Sequence, residues 1–488
     1  MSNSTHDHNN CSKVGLKDMD LRLFALFILC CCKQSWMQED VAVTEDREDP
    51  VIPLTPLIPR KPKADLDISH GATSSPTAEN GENSSEEELD GLCGKHLSSP
   101  EIRQAIGSGI MKFGLQLLEN LKANSEQPNV IISPLSVSLA LSQLALGARN
   151  ETEEVLFQRL HADVVPCYYK AVKSLLHRVR RKALQIASRI YLGSGFQPKQ
   201  EFIQESLKIY DSEPVILTEL EEVNEWVEKS TNGYVTDFLT SLPPNLAMML
   251  INAVHYKGEW LTRFDPRFTA IEPFYIDENL VVNVDMMLGP KYPLSVFTHN
   301  ELDAQVARFP FKGNMSLVIV MPMTGNVNVT AIAANLNISN LYSRFPRERS
   351  MQVKLPKFKL DFSQELNEAL TSMGLGELFT NPNLAGISDG PLQVSSVQHK
   401  SSMEINEEGA EAAAATSVVI SRSNPSFTVN QPFFLALMDD SSQTPLFLGV
   451  ISNPNPSGSA MISDISNSDK TGFISDKDDV PSFSLPPK

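Results

Sequence analysis

Residues 407–425 read EEGAEAAAATSVVISRSNP, a run of small side chains leading to the single Arg422, which Ser423 follows. Such a segment suits two states. Exposed, it is a loop that offers Arg422 to a protease pocket with a buried carboxylate, where a guanidinium pairs bidentately. Inserted, it is a strand: Ala412, Ala413, Ala414, Ala415 and Thr416 carry neither bulk nor charge to obstruct passage between two existing strands, and Ser417, Val418, Val419 and Ile420 favour the pleated form. An Ala-rich surface linker with a stray arginine is the plainer reading, and the flanking sequence decides between them.

SSVQHKSSMEINEEGAEAAAAT runs into the loop over 395–416, and PSFTVNQPFFLALMDDSSQTPLFLGVISNPNP leaves it over 425–456. Upstream lie NVIISPLSVSLALSQLALGA at 129–148 and LINAVHYKGEWLTRF at 250–264. These four stretches, in this order, resemble the serpin family: its hinge, its C-terminal strands, its shutter helix and the strand leading to its breach. The resemblance covers residues 93–456. It implies an α+β serpin fold, a single mixed α/β domain with a large antiparallel-rich central sheet, a helical N-terminal half and an exposed reactive-centre loop. It also implies a mechanism. A target serine protease attacks the carbonyl of Arg422, forms an acyl-enzyme, and is carried across the molecule as the loop inserts; deacylation needs accurate geometry, which compression destroys.

Residue by residue, the resemblance assigns the hinge to Glu407, Gly409, Ala410 and Ala412–Thr416. The shutter falls on Ser133, Ser136, Asn252 and His399, and the breach on Trp260; Trp226 reads as core. The family's usual loop length counted from Gly409 puts Ser423 before the scissile bond. Arg422–Ser423 is nevertheless taken as the reactive bond, because the plasmin-directed branch of the family has a loop one residue shorter and serine is a poor anchor for a deep pocket. That branch is the one the chain is most similar to, through AAAATS, the extended N terminus, the paired cysteines and the tail. The resemblance therefore implies plasmin as the trypsin-like partner and a role in restraining fibrinolysis. It further implies that Lys470, Lys477 and Lys488 dock kringles and that Gln38 is a transglutaminase acceptor for linkage to fibrin. A non-inhibitory serpin acting as a carrier or binding protein is the alternative, and the small-residue hinge argues against it.

The composition fits this picture. At 488 residues with 41% hydrophobic content, the chain can bury one large core and carry extended termini. A net charge of -18 excludes the basic footprint that a nucleic-acid partner needs. No HExxH and no Cys/His cluster of ligand spacing occurs, so neither an enzyme nor a metal or other cofactor is expected. The apolar run LRLFALFILCCC at 21–32 reads as a secretory signal, too short to span a bilayer, with initiation at Met19 and a leader ending near residue 36. The expected product is a secreted, extracellular monomer without a membrane anchor.

Removing the leader leaves Cys93 and Cys167, expected as a disulfide in an oxidising compartment. Sequons stand at Asn83, Asn150, Asn314, Asn328 and Asn337. Residues 37–92 are rich in Pro, Ser and acidic residues, end in Glu86, Glu87 and Glu88, and read as disordered, as does the tail 457–488. Between them, Ile102, Ile106, Phe113, Leu117 and Leu121 share one face of a helix begun at Ser98–Pro100. The alternation of 351–362 suits one half-exposed strand, whereas 433–438 and 445–451 suit buried ones. Lys170, Lys173, Arg178, Arg180, Arg181 and Lys182 form a basic cluster, read as a solvated helix face and not as a heparin site.

Overall fold

A computed structural model describes residues 99–324, 328–336, 338–409 and 425–462. The leader, the N-terminal extension and the tail beyond Ile462 lie outside the described residues. The first helix, α1 (Pro100–Glu119), starts where the sequence signals it: Ser99 Oγ accepts a bond from Ile102 N at 3.3 Å, and Pro100, which lacks an N–H, takes the first position. Ile102, Ile106, Phe113 and Leu117 are buried along it, and Leu121 is buried just beyond its end. After the short β1 (Val130–Ile132), helix α2 (Pro134–Gly147) is capped by Ser133 and is buried almost all round, as its apolar composition requires. Then follow α3 (Asn150–Arg159), α4 (Tyr168–Val179), β2 (Leu184–Leu192), α5 (Gln200–Tyr210), β3 (Val215–Ile216) and α6 (Leu220–Ser230).

The rest of the described chain is mostly strand: β4 (Met248–Lys257), β5 (Ala270–Tyr275), the long β6 (Leu280–His299), β7 (Ala304–Phe311), β8 (Met315–Pro322), β9 (Arg349–Pro356), β10 (Phe358–Glu365), β11 (Ser396–Ile405), β12 (Ser426–Thr428), β13 (Phe433–Asp439), β14 (Thr444–Ile451) and β15 (Met461–Ile462). Helices α7 (Val329–Ala334), α8 (Ile338–Arg344) and α9 (Asn367–Leu370) lie among them. One sheet runs β1-β14-β13-β8-β7-β6-β9-β12, with β5 and β15 paired to β6. Its β13 and β14 are the continuous apolar runs of the sequence and are buried nearly throughout.

The second sheet has five strands in the order β10-β11-β4-β2-β3. Its ladders β10·β11 and β2·β4 are antiparallel, whereas β2·β3 at the edge and the pair β11·β4 are parallel, the latter in register from Ser396↔Met249 to Glu404↔Lys257. No strand stands between them.

Two expectations change. Residues 351–362 form parts of two strands in different sheets: β9 pairs with β6, and β10 with β11. The break falls at Lys357, whose N–H leaves both ladders' pattern to bond Asp285 O at 2.8 Å, directly after Pro356, which has no N–H to give. Burial still alternates along both pieces, so the pattern persisted across the switch. The described chain also pairs beyond residue 456, since Met461 and Ile462 lie antiparallel to Val281 and Leu280. Among the described residues, no helix is long and apolar enough to cross a membrane.

Candidate functional site

The β4–β11 seam is closed at its middle by a polar cluster inside an apolar core. Asn252 and His399 are register partners across it. Asn252 Oδ1 accepts from His399 Nδ1 at 2.8 Å and from Ser136 Oγ at 2.6 Å, while its Nδ2 donates to Ser136 O at 2.7 Å. With Nδ1 donating, His399 Nε2 is left as an acceptor, and it receives the N–H of Ser133 at 3.3 Å. Ser133 in turn caps α2 through Ser136 N at 3.3 Å. Two residues along, Ser401 Oγ donates to Ile131 O at 2.6 Å. All these side chains are buried, so the imidazole sits neutral, its pKa pushed down by burial to about 3. The four residues expected at the shutter are thus brought together, tying both strands to the N-terminus of the helix beneath.

At the far end of β11 the chain turns out past Trp260. Trp260 Nε1 donates to Asn406 O at 2.6 Å, and its backbone N donates to Glu408 O at 3.0 Å. Its ring, 1% exposed, stacks on Phe311 at 4.1 Å and meets Phe264 edge-on at 5.6 Å. Gly409 bridges to Trp260, and here only glycine fits, because a Cβ would lie 2.6 Å from Trp260 O. Trp260 therefore fills the space between the end of β4 and the start of the loop. Trp226, by contrast, lies half-buried at the margin of a smaller cluster, with the Arg189 guanidinium 4.1 Å over its ring.

Of the hinge residues, Glu407 and Gly409 are described; Ala410, Ala412–Thr416, Arg422 and Ser423 lie outside the described residues. Glu407 is held on two sides, by Thr269 Oγ1 at 2.8 Å and Lys357 Nζ at 3.0 Å. Burial raises its pKa, but these bonds outweigh burial and leave the carboxyl below its ordinary value. Lys257 meets Glu404 at 3.3 Å and Glu408 at 3.2 Å, and Asn406 Oδ1 accepts Glu408 N at 3.0 Å. Sequence reading missed Thr269, Lys357, Lys257, Glu404 and Asn406. Only Lys357 left a trace, at the point where alternation meets a proline.

Cys167, at the N-cap of α4, is disulfide-bonded. Every other cysteine lies at position 93 or before, so Cys93 and the rest fall outside the described residues. Asn150, Asn314 and Asn328 are exposed, at the start of α3, in the β7–β8 turn and at the cap of α7; Asn83 and Asn337 lie outside the described residues, as do Gln38, Lys470, Lys477 and Lys488. The basic cluster is less solvated than expected. Lys182 and Arg178 converge on the buried carboxylate of Asp439, and Arg180 pairs with Asp211 at 2.7 Å.

The family model described as Serpin (serine protease inhibitor) matches residues 108–454. Alpha-2-antiplasmin of Bos taurus is 42% identical over 364 residues, covering 73% of this chain and 74% of the relative. Alpha-2-antiplasmin of Mus musculus is 40% identical over 409 residues, covering 81% and 83%. The crystal structure of mouse protein-Z dependent protease inhibitor superposes with a TM-score of 0.65 at 26% identity, covering 72% of this chain and 98% of that one. With its two sheets, its polar cluster at the β4–β11 seam and a family match over most of its length, the chain belongs to the serpin family of protease inhibitors.

Proposed function

We propose that the chain is a secreted suicide-substrate inhibitor, itself no enzyme, that traps an Arg-specific trypsin-like protease, plasmin foremost, and so restrains fibrinolysis. The closed parallel seam carries this reading. A segment that follows β11, continues beyond Gly409 and folds back runs antiparallel to both β11 and β4, so inserting it exchanges one parallel ladder of nine register pairs for two antiparallel ones. The net gain is about one ladder, on the order of 5–10 kcal/mol from backbone bonds alone. The native state is then held by a kinetic barrier, and the Ser133–Ser136–Asn252–His399 cluster is the part of that barrier the strand must open.

In the proposed chemistry the protease serine Oγ bonds the carbonyl carbon of Arg422, the peptide bond to Ser423 breaks, and the new amine takes the proton. Water would ordinarily cleave the ester. Insertion of the segment that carries the small residues Ala410 and Ala412–Thr416 moves the acylated protease before it does so. Residues of the hinge, Glu407, Gly409, Ala410 and Ala412–Thr416, are read as the part that leads into the seam.

The disulfide at Cys167, with Cys93 proposed as its partner, supports passage through an oxidising compartment, and the exposed Asn150, Asn314 and Asn328 are proposed glycan carriers. Lys470, Lys477 and Lys488 are proposed to engage kringles, which raises effective concentration without altering the loop chemistry. Gln38 is proposed as the transglutaminase acceptor toward fibrin. Mixing the protein with plasmin and resolving the products on a denaturing gel tests the central claim. A covalent adduct and a released C-terminal fragment beginning at Ser423 are expected; a fragment beginning at Asn424, or recovery of active plasmin with no adduct, refutes the assignment.

A further inference from the structure

The β4–β11 seam carries a cover on the face opposite the Asn252–His399 cluster. Residues 231–239, which follow α6, lie across that face as a strap. Both of its ends are tied to the helix: Thr231 Oγ1 donates to Val227 O at 2.8 Å, while Asn224 accepts Leu239 N through Oδ1 at 2.8 Å and donates to Leu239 O through Nδ2 at 2.9 Å. Val235 and Phe238 are buried between these ties, with Val223 and Val227. Toward the sheet the strap has a tie to each strand of the seam. Lys400 of β11 donates to Thr236 O at 2.8 Å and to Asp237 O at 3.1 Å. On β4 the His255 ring lies flat against Tyr234, with centroids 4.0 Å and planes 9° apart. We propose that His255 is a proton-operated catch on this strap, released by mild acid so that the cover leaves the seam.

The surroundings of the ring give it this property. His255 is buried, and neither of its nitrogens meets a hydrogen-bond partner among the described residues. Its register partners, Gln185 of β2 and Ser402 of β11, are uncharged. The charged groups that face it are Lys257 on β4, Glu404 on β11, and Lys359 and Asp361 on β10, two of each sign, and the strap sets the Tyr234 ring against it. Burial therefore decides, and pushes the imidazole down from 6.5 to about 4. Tyr234 is itself half-exposed, so the cover over His255 is one ring thick. A covered ring refuses the proton that an uncovered ring accepts near its ordinary value. The tie is at full strength above about pH 6.5 and weakens as the pH falls toward 4. Between pH 7.5 and 5.5 this linkage raises the uncovered population about tenfold. His399 titrates in the same sense on the opposite face, where the seam itself must part before the ring is reached. The inference rests on the proposed loop insertion only for its consequence, a seam that parts more readily in acid; release of the strap is read without a protease.

Amide hydrogen exchange of residues 231–239 at pH 7.5 and 5.5, with labelling times scaled for the intrinsic pH dependence of exchange, tests it. In the parent the open fraction of the strap should rise about tenfold on acidification. His255→Phe keeps a flat ring against Tyr234 and removes the titrating nitrogens, and its strap should change less than about twofold. Tyr234→Ala takes the cover from the ring: the strap should exchange fast at both pH values, and the His255 Cε1 proton resonance should titrate near 6.5 and no longer near 4. An equal acid response in the parent and in His255→Phe overturns the proposal. So does a response confined to 249–257 and 396–404 with the strap unchanged, which would belong to His399, and so does a His255 that still titrates near pH 4 in Tyr234→Ala.

Discussion

Replacing Asn252 with Ala should unlock the seam before any protease arrives. Asn252 makes three buried bonds, to His399, to Ser136 Oγ and to Ser136 O. Their loss is uneven. Ser136 Oγ keeps Ser133 O as an acceptor at 3.0 Å, whereas His399 Nδ1–H is left buried with nothing to accept it. One orphaned donor costs about 1–3 kcal/mol and the two replaceable bonds about 1 kcal/mol between them, which together weaken the closed seam by roughly 2–4 kcal/mol. At 1.4 kcal/mol per factor of ten, the open population rises by about 30- to 700-fold. Amide hydrogen exchange along 396–404 and 249–257 reads that population directly, because exchange follows local opening. Those amides should exchange at least about 30-fold faster in the variant, while amides of β13 and β14, which lie in the other sheet, should be little changed. Unaltered protection along the seam, or loosening spread evenly over both sheets, would refute the idea that this cluster is a local lock.

Ala414→Arg places a charge where an inserting strand must enter the core, so the variant should be cleaved as a substrate and form little adduct; adduct formation at the parent's stoichiometry would sink the hinge assignment. The His399 pKa, lowered from 6.5 to about 3, means that the unfolded chain binds a proton the native fold refuses. The corresponding stability is complete above about pH 6.5 and drains as the pH falls toward 3, by up to about 4–5 kcal/mol. Urea midpoints of the parent should therefore drop more steeply between pH 7 and pH 4 than those of His399→Gln, and equal slopes would show that the imidazole is not held neutral. Truncation after Ile462, which spares the β15 pairing, should slow association with plasmin but not with a trypsin-like protease lacking kringles. Equal slowing of both would exclude tethering by the tail.

Where information is local, the sequence declares the structure. Ser99 and Pro100 set the start of α1, Ser133 and Pro134 that of α2, and the uninterrupted apolar runs of β13 and β14 could only be buried strands. The lock itself is not local. Asn252 and His399 are 147 residues apart, and no spacing rule joins them, since parallel neighbours need long connections. A physical clue does exist, because β4 is buried over nine consecutive residues and Asn252 is the one amide among them. A buried amide must find partners, so such a residue marks a junction even when its partners cannot be named. Without the family resemblance, the sequence would have pointed to the junction and not to His399.

The hinge shows the opposite case, in which a strong local pattern misleads. Alternation through 351–362 describes a single strand well, yet Lys357 is the residue at which the chain passes from one sheet to the other. The crossing leaves its backbone N–H to Asp285 and frees its side chain to meet Glu407 at 3.0 Å. That ion pair is set where the two sheets meet the root of the loop. Glu407 is held by Lys357, between β9 and β10, and by Thr269, just before β5, neither of which belongs to the β4–β11 seam. The hinge residue Glu407 is therefore anchored from outside the two strands that the proposed insertion would part. Two residues on, Gly409 bridges to Trp260 so closely that no Cβ would fit beside Trp260 O, which ties the last described residue of this stretch to the end of β4 as well.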